Sequence, residues 1–265
     1  MRSRLLTAFA LATVAILMVL YAPPGVTAAV LGVLMLLGGW EWSAFLSTGV
    51  GGRLGYVLLL AVLAVVGVRF AGEQANFLVL MQIAVAWWII ALLWIVLAPM
   101  RVSRVAAALA GVLALVPTWL ALVRIEQRWN HGAEWTLLIL TIAFSADTGA
   151  FFAGRSFGRR PLAPQVSPNK TWEGVGGGLL LALLVATGAN LWFAVPWRSF
   201  LPLCLAAAAL SVVGDLTESL LKRHVHLKDS GRLFPGHGGV LDRIDSVTAA
   251  VPVMALGLIW IGAGR

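Results

Sequence analysis

Apolar runs of membrane-spanning length fill almost the whole chain, at 5–22, 25–47, 54–70, 76–97, 105–123, 134–152, 173–196, 200–221 and 239–262. A bilayer core takes about 20 apolar residues per helix, with a range of roughly 17–25. Hydrocarbon offers no water to backbone N–H and C=O groups, so runs this long must cross as helices. The expected fold is all-α, a polytopic integral membrane helical bundle of about nine transmembrane helices. Only 11% of the residues are charged and 60% are hydrophobic, where a soluble domain carries about a quarter charged. The chain reads as a single membrane domain over 1–265, with N-terminal helices over 1–130 and a catalytic half over 131–265. Arg2 and Arg4 precede the first run, which at about 18 residues exceeds a signal-peptide core and reads as a retained helix. The single Cys204 excludes an internal disulfide and any multi-cysteine metal site.

The net charge of +8 does not indicate nucleic acid, because no basic soluble domain is present to bind it. Lys and Arg instead cluster between the apolar runs. With nine spans, Arg69, Arg124, Arg128, Arg198 and Arg265 fall on one side and Arg243 inside the last span, while the other basic residues share the opposite side. The positive-inside rule makes that richer side cytoplasmic. It carries both long polar loops, at 153–172 and 222–238.

The acidic residues are few and concentrated. Of 11 Asp and Glu, five lie within 215–246: Asp215, Glu218, Asp229, Asp242 and Asp245. Ser211, Asp215, Glu218, Ser219 and Lys222 stack on one face of a helix. Asp242 and Asp245 share a face at the start of the last span, and Asp147 interrupts the sixth. Carboxylates at membrane depth are costly unless they hold ions, protons or each other. Oxygen-only clusters suit Mg²⁺, which takes one or two carboxylates and completes its shell with water and phosphate. Asp215, Asp242, Asp245, Asp147 and Glu218 are therefore candidate ligands of a phosphoryl-transfer site. The competing reading is a set of ion pairs that stabilise helix packing.

Lys222, Arg223, Lys228, Arg232 and Arg243 surround these carboxylates and suit a polyanion; membrane anchoring by snorkelling is the alternative. Pro235-Gly236-His237-Gly238-Gly239 precedes a helix, where backbone amides approach a phosphate, although a plain loop has the same composition. Ser167, Lys170, Thr171 and Glu173 end the other polar loop where a helix begins. Thr171 is placed to cap that helix, and the loop suits a nucleotide. Gly176-Gly177-Gly178 reads as close helix packing. Glu41, within Trp40-Glu41-Trp42, receives no role.

The same residues carry a resemblance. Ser219-x-Leu221-Lys222-Arg223, Lys228-Asp229-x-Gly231, Phe234-Pro235-x-His237-Gly238-Gly239 and Asp242-Arg243-Ile244-Asp245 together resemble the signature of the bacterial phosphatidate cytidylyltransferases. Upstream, Asp147-Thr148-Gly149-Ala150, Gly154-Arg155, Gly158 and Ser167-Pro168-x-Lys170-Thr171-x-Glu173-Gly174 also resemble that family. The resemblance covers about 145–246. It implies transfer of CMP from CTP to phosphatidic acid, giving CDP-diacylglycerol and pyrophosphate, with Mg²⁺. It implies catalytic roles for Asp215, Lys222, Arg223, Asp242, Arg243 and Asp245. Substrate binding falls to Ser167, Lys170, Thr171, Ser219, Lys228, Asp229, His237, Gly238 and Gly239. A homodimer in a bacterial inner membrane, with its active site facing the cytoplasm, is also implied. Two alternatives stand: another CTP-dependent membrane lipid kinase or transferase, and a cation-coupled transporter. Transporters show repeated halves with matched broken helices, whereas the charge here lies in one half.

Overall fold

The computed structural model describes residues 13–99, 102–231 and 238–263. Residues 13–21 are helical and form α1. They are followed by α2 (Pro24–Trp42), α3 (Val50–Phe70), α4 (Gln74–Leu97), α5 (Arg104–Arg128), α6 (Gly132–Phe157), α7 (Trp172–Phe193), α8 (Trp197–His224) and α9 (Leu241–Trp260). Among the described residues, the eight helices from α2 to α9 are long and apolar enough to cross a membrane. The expected span at 5–22 lies only partly within the described residues.

Helices α5 and α9 form the middle of the bundle, with 61% and 67% of their apolar windows buried against 17% in α3. The outward Val62, Val65 and Val66 of α3 are exposed and face hydrocarbon. Pro252 lies inside α9 and cannot donate to the carbonyl one turn earlier, that of Thr248. The Thr118 hydroxyl of α5 donates to that carbonyl at 2.9 Å. A neighbouring side chain thus satisfies the group that proline releases, as a proline-broken helix in lipid requires.

Small residues bring α6 and α7 together. A Cβ on Gly149 would lie 2.5 Å from the Gly177 carbonyl oxygen, and one on Gly178 would lie 2.5 Å from that of Ala146. Gly177 and Gly178 therefore serve the close packing expected of them. Gly176 meets no atom within 4 Å and has no part in it.

The polar loop at 153–172 is more ordered than its composition suggests. Helix α6 continues to Phe157, and the remainder folds into an antiparallel hairpin of β1 (Pro161–Ala163) and β2 (Ser167–Thr171). Its tip residue Val166 is buried, in the apolar cluster that contains Leu220 and Leu221. The Arg223 Nε donates to the Val166 carbonyl at 3.5 Å. At the hairpin base, the Glu173 carboxylate accepts the Arg159 and Arg160 amides at 3.1 and 3.2 Å. Thr171 caps α7, accepting the Gly174 amide at 3.1 Å. The hairpin is thereby held across the end of the bundle.

The two ends of the bundle differ. At the hairpin end, Trp42 Nε1 donates to the Ala107 carbonyl at 2.8 Å and joins α2 to α5. At the opposite end, the Arg128 guanidinium donates to the Gly72 carbonyl at 2.8 Å and Arg124 donates to Gln74 Oε1 at 2.7 Å.

Candidate active site

The hairpin and helices α6 to α9 enclose a cavity of about 580 Å³. Asp147 and Arg155 come from α6, Ser167, Asn169 and Lys170 from β2, Asp215 from α8, and Asp242 and Asp245 from α9. Phe151, Val175 and Val212 supply an apolar wall. Carboxylates separated by up to 98 positions in sequence thus reach one space.

Lys170 pairs with the Asp215 carboxylate, which also accepts the Ser219 hydroxyl at 3.3 Å. One turn further along α8, the Lys222 ammonium lies 3.3 Å from Glu218 Oε2 and 2.7 Å from Asp242 Oδ1. Glu218 is 1% exposed. Neither of its buried carboxylate oxygens has a hydrogen-bond partner among the described residues, so the Lys222 charge is what stands beside it. Asp147 accepts the Ser246 hydroxyl at 2.7 Å.

The expected residues divide into several groups. Asp147, Ser167, Lys170, Thr171, Asp215, Asp242 and Asp245 all line the cavity. Ser219 and Lys222 are bonded to its carboxylates, and Glu218 pairs with Lys222. Arg223 holds the hairpin tip. Lys228, Asp229 and Arg243 are exposed. Gly238 adopts a left-handed conformation, with φ of 82°, and a Cβ there would lie 2.5 Å from Asp242 Oδ2. The Gly239 amide donates to the same oxygen at 2.8 Å. His237 and Arg232 lie outside the described residues.

Three contributors have no role assigned from sequence. Ser246 orients Asp147, and Ser230 donates its amide to Asp242 Oδ2 at 3.1 Å. Glu41 accepts the Val240 and Leu241 amides at 3.1 and 2.7 Å, so it caps the first turn of α9. An intramembrane carboxylate at Glu41 signalled that a partner existed. The identity of that partner, 200 residues away, was not readable from spacing.

Among the described residues, no three Asp, Glu, His or Cys side chains converge as a ready-made ligand set. Mg²⁺ does not need one, since it draws most of its shell from water and substrate phosphate. The all-oxygen donors at the cavity, with the buried carboxylate oxygens of Glu218, unpartnered in hydrogen bonds, beside them, fit such an ion.

The match with known proteins is as extensive as the cavity is specific. Residues 2–260 match the model of the Cytidylyltransferase family. The chain belongs to that family. It is therefore a membrane nucleotidyltransferase. A protein named phosphatidate cytidylyltransferase from Pseudomonas aeruginosa is 37% identical over 98% of this chain and 97% of its own length. A protein of the same name from Haemophilus influenzae is 36% identical over 95% of this chain and 96% of its own. The Thermotoga maritima protein of that name is 39% identical over 58% of this chain.

Proposed function

We propose that this cytidylyltransferase transfers the CMP unit of CTP to phosphatidic acid, giving CDP-diacylglycerol and pyrophosphate in phospholipid synthesis. The observation that carries this reading is the convergence of Asp147, Lys170, Asp215, Asp242 and Asp245 on one cavity. The full-length relatives named phosphatidate cytidylyltransferase support it.

A phosphatidate oxygen attacks the α-phosphorus of CTP. A new P–O bond forms as the bond to the bridging α–β oxygen breaks, and pyrophosphate leaves with that electron pair. Little covalent chemistry falls to the protein, so catalysis is positioning and charge stabilisation. Lys170 and Lys222 place ammonium groups among the carboxylates, where they counter charge on the triphosphate. Ser167 and Thr171 line the same wall and orient the nucleotide. The apolar Phe151, Val175 and Val212 suit the lipid substrate. Asp215, Asp242 and Asp245, with Asp147 and Glu218 beside them, are the residues that would hold Mg²⁺, which when bound supplies positive charge to phosphate oxygens.

The cavity lies at the hairpin end of the bundle, which carries Arg53, Arg104, Arg155, Arg159, Arg160 and Lys228. Positive-inside bias supports a cytoplasmic mouth in a bacterial inner membrane, where CTP is available. A homodimer belongs to the same reading. The test is purified protein in phosphatidate vesicles with labelled CTP and Mg²⁺. Label should enter the lipid phase with phosphatidate. Equal labelling with diacylglycerol or a polyprenol in its place would overturn the assigned acceptor.

A further inference from the structure

We infer that Glu41 is a positioning residue for Asp242, acting from the N-terminal half of the chain on the catalytic half; the inference rests on the function proposed above. Three successive amides open α9. The first, from Gly239, donates to Asp242 Oδ2 at 2.8 Å. The next two, from Val240 and Leu241, donate to Glu41 Oε1 and Oε2 at 3.1 and 2.7 Å. Ser230 stands between the two carboxylates. Its one hydroxyl proton is shared between Glu41 Oε2 at 3.2 Å and Asp242 Oδ2 at 2.9 Å, while its amide donates to Asp242 at 3.1 Å. Glu41 and Asp242 therefore divide a single set of donors, and the position of one acceptor fixes the other.

Two glycines show how closely Glu41 is fitted. A Cβ on either Gly231 or Gly239 would overlap its carboxylate. Gly239 belongs to the run that reads as a phosphate-binding turn and Gly231 to the Lys228-Asp229-x-Gly231 segment, yet here both admit a side chain from α2. Glu41 is 8% exposed, so little water is available to replace a lost acceptor. A negative charge at this helix N-terminus is also favourable. Without it the first turn of α9 relaxes and Asp242 Oδ2 loses its fixed donors, while Oδ1 keeps Lys222 at 2.7 Å. Asp242 stays near the cavity, held through Lys222, but is no longer aligned. Misalignment reduces turnover more than substrate binding.

The test compares Glu41→Gln, Ser230→Ala and the double variant with the parent, using CTP, phosphatidate vesicles and Mg²⁺. Each single variant should lower kcat by about tenfold and leave both KM values within about twofold. The double variant should be no worse than the weaker single, because both act through one network. Hydrogen exchange of the Val240 and Leu241 amides should quicken in Glu41→Gln. Unchanged kcat with a lowered melting temperature would overturn the inference, leaving Glu41 a packing residue. Multiplied losses in the double variant would also overturn it. If Glu41→Gln fails to insert, Ser230→Ala, which removes only a hydroxyl, carries the kinetic test alone. An inactive parent would instead overturn the functional reading, and amide exchange would still report whether Glu41 holds α9.

Discussion

Lys170 and Lys222 stand among carboxylates that would otherwise repel one another, and each site charge depends on its neighbours. Asp215→Asn preserves size but leaves Lys170 without its anion, and Asp242→Asn does the same to one arm of Lys222. Each is expected to lower the transfer rate by about a hundredfold or more, with unchanged protein in the membrane. Near-normal rates for both at saturating Mg²⁺ would contradict the assigned roles. Lys170→Ala should raise the apparent KM for CTP by about tenfold and that for phosphatidate much less; an effect confined to phosphatidate would move the hairpin to the lipid side of the site. Asp147, Asp215, Asp242 and Asp245 were legible in the sequence because membrane-depth carboxylates are rare and costly. Ser230 and Ser246 were not, because a serine near a helix end has many ordinary roles and only its partner identifies its function.

Helix-scale expectations follow from how closely the backbones approach. A methyl at Gly149 would meet the Gly177 carbonyl oxygen at 2.5 Å, whereas one at Gly176 meets nothing within 4 Å. Gly149→Ala should therefore separate α6 from α7 and destabilise the protein by about 1–3 kcal/mol. Gly176→Ala should be neutral or stabilising by roughly 0.5–1 kcal/mol. Thermal melts in detergent distinguish them, and equal melting temperatures for the two would contradict the packing. Thr118→Val leaves the Thr248 carbonyl without the donor at 2.9 Å and should cost about 1–3 kcal/mol in the same measurement. The long helices were legible from hydropathy alone. The hairpin was not: Pro161, Pro164 and Pro168 interrupt any alternating pattern. Its order comes from Val166 in the apolar cluster, Arg223 on the tip and Glu173 at the base.

Across the whole molecule, charge and chemistry occupy the same end of the bundle. In a Cys204→Ser background, Lys228→Cys should react with an impermeant maleimide only after the inner membrane is opened, and Arg128→Cys should react in intact spheroplasts. The opposite pattern would invert the topology. The site itself assembles from both halves of the chain, since Glu41 of α2 closes the turn that presents Asp242 of α9. The most direct measurement places the label on different phosphates of CTP. With phosphatidate vesicles and Mg²⁺, CTP labelled at the α-phosphorus should transfer its label to the lipid phase, and CTP labelled at the γ-phosphorus should leave it in aqueous pyrophosphate. Asp242→Asn should abolish the first signal. Label from the γ position in the lipid would identify a kinase instead, and no lipid label from either position would contradict cytidylyl transfer at this cavity.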